Sequence, residues 1–450
     1  MNPNILFIVV DGLRNDKVYG VNKTSITPNL DSLLYEGTFF SHAISSSDGT
    51  RTCVGSMLTA QYPFQSGVNT FHNHKKTTKF FKLFKKNGYS LAATVPDVDL
   101  WKTLTENFDT KDMIPKPYEY LFGGTGEKIL SQLDKLKKLQ PWIYYIHVMD
   151  LHKSVNYALP EKFKEKKFGE STYEKMISGI DFWIGKILEK IDLTKTLIVI
   201  TSDHGEFIPI SSIDQPISYM PSLVKFGQKI KKITPKKLQP TGESTFIKVR
   251  DSLVPLRKSL LRTKLSVEDM RTLNERGTKF GWELFDEVVC TPLLFSGYNI
   301  KSGVVINDQV RQIDIFPSIL SIIDFQPFPE DIQGESLFSL INGEKITEKP
   351  ALIENHMLDP NDTDIVIGIR TSNYKYFRNI NNKNTKLRLF DLKNDPQEQK
   401  NVASEKPEIV SEMEDLLMKY RKHDTSPLIT ENQDEYDEKI KEELKKMGYI

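Results

Sequence analysis

Two short apolar runs, far apart in the chain, each end in polar residues. Residues 4–10 (NILFIVV) stop at Asp11, and residues 197–202 (LIVITS) lead directly to Asp203 and His204. Runs of this length, rich in β-branched residues, predict strands buried on both faces of a parallel sheet. Because ligands bind at the carboxyl edge of such sheets, we expect these side chains to form a cation site there. Helix capping is the alternative for either aspartate taken alone.

The segment between the two strands contains a candidate nucleophile, the hydroxyl of Thr50. Residues 45–49 (SSSDG) favour a tight turn, and the small and apolar residues from Thr52 onward predict a helix that ends near Tyr62 and Pro63. Thr50 should therefore lie at or just before the helix N-terminus, where backbone N–H groups and the helix dipole favour an anionic oxygen. A divalent cation can stabilise the deprotonated hydroxyl. Taken alone, Thr50 would be interpreted as an N-cap; the strand-end residues favour the nucleophile.

The remaining periodicity indicates how the chain is organised. Helical patterns at 78–87, 127–139 and 173–191 alternate with strand patterns in the first three quarters of the sequence. The last quarter carries strand patterns at 351–354, 364–371 and 374–379, followed by helices from Pro407 and from Asp434. We therefore predict an α/β catalytic domain at 1–345 and a smaller α+β subdomain at 346–450.

The order of the motifs resembles the sulfatase-like family of the alkaline phosphatase superfamily. The resemblance covers nearly the whole chain except about 208–278. It implies an alkaline-phosphatase-like sandwich, in which helices flank a large, mostly parallel central sheet, and a metal-dependent enzyme that acts on phosphate or sulfate esters. The motifs that carry it are the strand to Asp11, the turn at Thr50 with 58–63 (LTAQYP), 142–152 (WIYYIHVMDLH), 202–206 (SDHGE), 284–287, 291–295, 310–323, 334–337, 374–376 and 389–398.

The nucleophile motif departs from the family pattern. Family sulfatases convert a Cys or Ser into formylglycine within Cys/Ser-x-Pro-x-Arg, but this chain has Thr50 at that position, followed directly by Arg51. Cys53 does not restore the motif, because Gly55 and Met57 stand where Pro and Arg would be needed. A threonine nucleophile resembles the phosphodiesterase, nucleotide pyrophosphatase and phosphoglycerol transferase relatives. The resemblance therefore implies the threonine-nucleophile, non-formylglycine branch, with phosphorus chemistry or group transfer.

The resemblance also implies one metal ion. Two-metal relatives have a His-Gly pair shortly before the element at 284–287, whereas this chain has Phe280 and Gly281, and phenylalanine cannot bind a metal. Oxygen donors with one imidazole suit Mn²⁺, Mg²⁺, Ca²⁺ or Zn²⁺. The implied metal ligands are Asp11, Thr50, Asp203 and His204.

Three further residues are candidates for the reaction itself. His152 matches a family histidine that binds a substrate oxygen or protonates the leaving group. Lys279 and Lys375 are candidate cationic partners for the charge that develops on the transferred group. A solvated lysine is the alternative for each of them, and a structural histidine is as good an interpretation for His147, which we leave out of the predicted site.

Composition limits the class of protein. With 450 residues, of which 38% are hydrophobic and 27% charged, the chain can form one large α/β core with an appendage. It contains no apolar run of 18 residues, and residues 4–10 have no signal-peptide features, so we expect no transmembrane segment and a cytoplasmic location. Two cysteines far apart in sequence indicate no disulfide framework.

The charge is distributed unevenly. Residues 221–265 contain twelve Lys and Arg but only two acidic residues, within the stretch at 208–278 that has no family match. This basic insertion is either a lid for an anionic ester substrate, glycan-linked or lipid-linked, or a solvated helical excursion. We do not expect nucleic acid as a partner, because no aromatic platform accompanies the charge.

Two classes of function therefore remain. The first is a hydrolase or transferase that uses Thr50, with a true sulfuric ester hydrolase as a variant. The second is a non-catalytic sulfatase-like binding protein, suggested by Phe280 and by the missing Pro and Arg of the nucleophile motif. The presence of all four implied ligands favours an enzyme, because a degenerate relative has no chemical reason to keep them.

Overall fold

The computed structural model describes residues 2–70, 74–115, 119–152, 159–208, 271, 284–326, 328–356 and 365–421. The chain divides into two compact units, residues 1–206 with 281–450, and residues 207–280. The architecture given below is that of the first unit. Apart from residues 208 and 271, the predicted basic insertion lies outside the described residues, as do Lys279, Phe280 and the predicted helix from Asp434.

The strands of the described residues form two sheets. The nine strands of the first sheet are β1 (Asn4–Val10), β2 (Gly37–Ile44), β3 (Ser90–Pro96), β4 (Thr110–Ile114), β5 (Trp142–Val148), β6 (Thr196–Thr201), β7 (Cys290–Gly297), β8 (Val304–Ile306) and β9 (Val310–Arg311). The four strands of the second sheet are β10 (Ala351–Glu354), β11 (Val366–Arg370), β12 (Tyr374–Asn379) and β13 (Arg388–Asp391).

The first sheet is mostly parallel, as the sequence predicts. Its order is β4-β3-β5-β1-β6-β7-β2-β8, with β9 paired to β2, and the pairs that involve β7 are antiparallel. The central strand β1 is buried along its whole length, which its unbroken apolar sequence requires. Because β1 lies between β5 and β6, the carboxyl ends of these three strands share one edge of the sheet.

Helices flank the first sheet and cover the second. They are α1 (Pro28–Tyr35), α2 (Thr50–Thr59), α3 (Pro63–Ser66), α4 (Lys79–Lys86), α5 (Asp99–Leu104), α6 (Thr125–Leu136), α7 (Thr172–Leu188), α8 (Asp286–Val289), α9 (Ile315–Ile322), α10 (Phe338–Ile341) and α11 (Pro407–Arg421). Each of the predicted helices that became α4, α6 and α7 begins and ends within three residues of its prediction. The start of α7 is fixed by a capping box between Ser171 and Glu174.

The second sheet forms the C-terminal α+β part that the sequence predicts. Its strands are antiparallel in the order β10-β11-β12-β13, and α11 packs on it through Met413 and Leu417. The same apolar cluster contains Tyr62 and Phe64, so this sheet packs against the segment that follows α2. β10 also reaches the turn before α2, because Glu354 N donates to Ser46 O at 3.0 Å.

Within the ranges given above, no helix has the length and apolar composition that a membrane crossing needs.

Candidate metal-dependent active site

Thr50 is the first residue of α2, and its hydroxyl lies between two predicted metal ligands. Thr50 Oγ1 donates to Asp11 Oδ2 at 3.2 Å and lies 3.1 Å from His204 Nε2. The helix begins here because Gly49, in the extended conformation, is the N-cap. Gly49 rather than Thr50 therefore caps the helix, and the Thr50 side chain is available to the site.

The two aspartates come from neighbouring parallel strands. Asp11 follows β1 and Asp203 follows β6, and both are buried. Gly12 turns the chain away with φ +71°, a left-handed conformation that favours glycine, and its N–H donates to Asp203 Oδ1 at 3.2 Å. His204 N donates to the same oxygen at 2.9 Å. The other oxygen, Asp203 Oδ2, has no hydrogen-bond partner among the described residues and lies 3.6 Å from His204 Nε2.

Two buried side chains hold the end of β6 in place. Ser202 Oγ donates to Val10 O at 2.6 Å and accepts from Leu13 N at 2.9 Å, which ties the ends of β1 and β6 together. Gln312 Nε2 lies 2.6 Å from Ser202 O and 2.7 Å from Asp203 O. Only a donor group fits against these two carbonyl oxygens, so the amide fixes the backbone from which Asp203 and His204 project.

His147, which we left out of the predicted site, is part of the same cluster. It lies on β5 opposite Val9 of β1, and its Nε2 is 3.6 Å from Asp11 Oδ2. One ligand atom from each of Asp11, His147 and Asp203 can be chosen so that all three lie within 4.8 Å of one another. The sequence signal was present, because His147 lies near the end of an apolar run. Its importance depends on β5 being the neighbour of β1, which the sequence does not state.

The donor set fits a divalent cation. It consists of two buried carboxylates, a hydroxyl and imidazole nitrogens, and one carboxylate oxygen is left without a hydrogen-bond partner among the described residues. Ligand oxygens of Asp11 and Asp203 lie within 4.8 Å of each other. Two buried carboxylates this close together need positive charge beside them, which a cation would supply together with the imidazoles. These donors suit Mg²⁺, Mn²⁺ or Zn²⁺ as well as Ca²⁺.

The charges of the cluster shift the pKa values of its members. Burial raises the pKa of Asp11, but nearby His152, His204 and His147 favour the carboxylate and bring the pKa well below its usual value. Burial lowers the pKa of His204, but the carboxylates of Asp203 and Asp11 raise it to about 9. The same burial effect dominates for His152, whose pKa is lowered. The cluster therefore holds Asp11 ionised even though its carboxyl is buried.

The other predicted residues have different positions. His152 is buried beyond the end of β5, where Asp11, Glu206, His204 and Asp203 influence its pKa, so it lies near the cluster. Lys279 lies outside the described residues.

Lys375 makes contacts that differ from those predicted. Its Nζ is fully buried, donates to Leu284 O at 2.9 Å, and pairs with Asp286 Oδ1 at 2.5 Å and Glu398 Oε1 at 2.6 Å. The three N–H groups of the ammonium therefore all have partners within the protein. We assign Lys375 to this buried ion network and do not include it in the proposed reaction.

A second residue pair that the sequence did not single out lies beside the nucleophile turn. Asp48 Oδ1 accepts from His356 N at 2.7 Å and lies 2.9 Å from His356 Nδ1. A Cβ at Gly49 would lie 2.5 Å from His356 Cγ, so only glycine allows the imidazole to approach the start of α2. His356 comes from the second sheet, two residues after the end of β10. It reaches this place because Glu354, the last residue of β10, is hydrogen-bonded to Ser46 in the turn before α2. The C-terminal part therefore contributes to the surroundings of Thr50.

Comparison with known proteins identifies the family that this fold and site define. The family model described as Sulfatase matches residues 3–325, and the chain belongs to the sulfatase family. The model described as N-sulphoglucosamine sulphohydrolase, C-terminal, matches residues 280–423. The predicted membership of the sulfatase-like superfamily is thus confirmed.

Several relatives are similar over much of the chain. Arylsulfatase K of Mus musculus is 22% identical over 380 residues, which cover 74% of this chain and 57% of that protein. The chain thus spans little more than half the length of this relative. The ulvan-active sulfatase of Formosa agariphila is 23% identical over an alignment of 483 residues, which covers 93% of this chain and 80% of that protein. The crystal structure of the phosphonate monoester hydrolase of Agrobacterium radiobacter matches with a TM-score of 0.65 and 14% identity, covering 94% of this chain and 96% of that one, which confirms the fold.

Proposed function

We propose that this chain is an enzyme that cleaves sulfate or phosphate esters in a metal-dependent reaction, with the hydroxyl of Thr50 as the nucleophile. One observation carries the proposal: the Thr50 hydroxyl lies at the first turn of α2, 3.2 Å from Asp11 Oδ2 and 3.1 Å from His204 Nε2. A hydroxyl that served only as a cap would face the backbone of its own helix. Membership of the sulfatase family supports the ester chemistry.

The proposed first step transfers the group to the protein. The Thr50 oxygen forms a bond to the sulfur or phosphorus atom while the bond from that atom to the ester oxygen breaks. The Thr50 proton passes along its hydrogen bond to Asp11 Oδ2. His152, buried beside the cluster, is the proposed hydrogen-bond donor to the departing oxygen, which takes its proton from water.

A bound divalent cation, held by Asp11, Asp203 and His204, would lower the pKa of the Thr50 hydroxyl and offset the charge of the transferred group. The start of α2 adds to this stabilisation, because the first N–H groups of a helix have no partner within it and attract anionic oxygen atoms.

The proposed second step releases the group from Thr50. The oxygen of a water molecule bonds to the sulfur or phosphorus atom and releases a proton to the solvent, the bond to Thr50 breaks, and the Thr50 oxygen takes back the proton that Asp11 holds. Threonine has a single oxygen on its β carbon. The sulfate or phosphate group can therefore leave Thr50 only when a nucleophile attacks the sulfur or phosphorus atom. If an acceptor alcohol replaces water, the same residues carry out a transfer. The proposed substrate is an anionic ester, glycan-linked or lipid-linked.

Substitution of Thr50 tests the nucleophile. Thr50→Ala removes the attacking oxygen and should lower kcat by at least ~10³, on the order of 4 kcal/mol of barrier. Thr50→Ser restores the oxygen and should keep measurable turnover. Aryl sulfate, aryl phosphate, phosphodiester and phosphonate substrates form the assay panel, and mass spectrometry of the quenched reaction should find the group on Thr50.

The matched control is Thr59→Ala in the last turn of the same helix. Thr59 Oγ1 donates to Gly55 O at 2.8 Å, so its loss should affect stability and leave the rate per folded molecule unchanged. An active Thr50→Ala enzyme would refute the proposed nucleophile. Full activity in excess chelator, with no metal detected by elemental analysis, would refute the metal requirement.

A further inference from the structure

We propose that His147 is a further ligand of the cation, so that two imidazole nitrogens, from His147 and His204, hold the metal together with the oxygen donors. Such a site would select Zn²⁺ or another transition-metal ion over Ca²⁺, because imidazole suits transition metals and Ca²⁺ takes oxygen ligands. This inference rests on the proposed function, because it requires a metal at Asp11 and Asp203.

The distances support a shared ion. His147 Nε2 lies 3.6 Å from Asp11 Oδ2, and ligand atoms of His147, Asp11 and Asp203 lie within 4.8 Å of one another. Ligand atoms at zinc bond lengths are about 3.3–3.6 Å apart at tetrahedral angles and up to about 4.4 Å apart on opposite sides of the ion. The 3.6 Å separation of His147 Nε2 and Asp11 Oδ2 already fits this range. A separation as large as 4.8 Å would have to contract by about 1.2–1.5 Å for a tetrahedral angle, or by about 0.4 Å for ligands on opposite sides of the ion.

The hydrogen-bond pattern gives an independent argument. His147 Nε2 and Asp203 Oδ2 are both buried, and neither has a hydrogen-bond partner among the described residues. Leaving two buried polar atoms unsatisfied costs free energy, and proteins normally pair such atoms. One cation between His147 and Asp203 would satisfy both atoms at once.

The imidazole of His147 is oriented as a metal ligand would be. Its other nitrogen, Nδ1, lies 3.2 Å from the hydroxyl of Tyr145, which lies two residues earlier on the same face of β5. Trp101 packs edge-on against the ring, with the centroids 4.7 Å apart. A partner on the second nitrogen fixes the orientation and tautomer of a metal-binding histidine. In the tautomer that donates Nδ1–H to the Tyr145 hydroxyl, the lone pair of Nε2 faces Asp11 and can bind a cation.

The competing interpretation is that His147 only donates a hydrogen bond to Asp11. Loss of metal affinity cannot separate the two, because removing either a ligand or a hydrogen-bond partner of a ligand weakens binding, the latter by about 10- to 100-fold. The number of imidazole nitrogens on the metal does separate them. Pulsed electron paramagnetic resonance of the full-length protein with bound Cu²⁺ counts these nitrogens directly.

We expect two coordinated imidazoles in the wild-type protein, one in His147→Gln and one in His204→Gln. His356→Gln, which changes another buried histidine, is the matched control and should keep two. A single imidazole in the wild type, or two that persist in His147→Gln, would overturn the inference and leave the proposed function intact. If no Cu²⁺ binds and His204→Gln changes nothing, the proposed metal site fails as well. Because the wild-type count decides alone, the test holds even if a variant does not fold.

Metal competition provides a second test of the same inference. Zn²⁺ should bind at least ~100-fold more tightly than Ca²⁺, and His147→Gln should weaken Zn²⁺ binding by about 100-fold while changing Ca²⁺ binding only a few-fold. Chelator competition with Zn²⁺ and with Ca²⁺ as the probes measures both values. Tighter binding of Ca²⁺ than of Zn²⁺ would overturn the assignment of the metal class.

Discussion

Replacing Lys375 by Met should destabilise the protein strongly and leave its chemistry intact. The ammonium group is fully buried between Asp286 and Glu398, and Arg370 Nη2 donates to the other oxygen of Asp286 at 2.7 Å. The network thus contains two cations and two anions, and the variant removes one cation. Asp286 keeps Arg370 as its partner, whereas Glu398 loses its ion pair with Lys375.

The buried contacts of Lys375 determine how much stability the substitution should remove. Removing one partner of a buried ion pair costs about 3–5 kcal/mol, because the other charge is left uncompensated. Burial already raises the pKa of Glu398 to about 7, although Lys375 opposes the rise. Without Lys375 this carboxyl will take up a proton at neutral pH, which limits the loss to about 3 kcal/mol. Adding Glu398→Gln to Lys375→Met should then recover about 1–2 kcal/mol.

Urea unfolding followed by circular dichroism measures these free energies, and the rate per folded molecule is measured alongside. Lys383→Met is the matched control: Lys383 pairs with Glu414 at 2.8 Å, but its side chain is 65% exposed, so the loss should stay below about 1 kcal/mol. A rate reduced by ~10² or more at unchanged stability would refute this reasoning. Lys375 would then act on the substrate, as the sequence alone suggests.

Two further predictions follow from buried polar contacts. Burial raises the pKa of Glu414, but hydrogen bonds such as those from Arg378 lower this pKa to about 2. The Glu414 carboxylate therefore stabilises the fold above pH 4.5, and this contribution to stability disappears as the pH falls towards 2. Glu414→Gln should therefore lower the free energy of unfolding by about 1–2 kcal/mol at pH 7, after allowance for solvent screening, and leave it unchanged near pH 2. The control Glu412→Gln, which changes an exposed residue, should have no effect at either pH. A loss of stability in Glu414→Gln that persists at pH 2 would contradict this explanation. Gln312→Leu should weaken Zn²⁺ binding about 10- to 100-fold in chelator competition, because the carbonyl groups beside the proposed ligands lose their donor. Gln309→Leu removes similar backbone contacts outside the site and should leave Zn²⁺ affinity unchanged; unchanged affinity in Gln312→Leu would contradict the positioning role.

Local sequence was sufficient to predict most of the cluster. Asp11, Asp203 and His204 each follow an apolar run that predicts a buried strand, and parallel strands place their carboxyl ends at one edge of a sheet. Thr50 follows a turn sequence at the start of a helix of small residues. The structure brings these four residues together because each position is fixed by the element that it ends or begins.

Only the tertiary structure decided the places of His147 and Lys375. His147 lies beside Asp11 because β5 pairs with β1 in the register that sets His147 opposite Val9. Nothing within the sequence around 147 states which strand will be its neighbour. From the sequence, Lys375 is expected to be solvated or to face the substrate. In the structure the pairing of β12 with β11 and β13 buries it, and Asp286 and Glu398, from distant segments of the chain, lie beside its ammonium group. Hydrophobic periodicity specifies an element and its buried face, whereas contacts between elements depend on strand order and register, which only the complete fold determines.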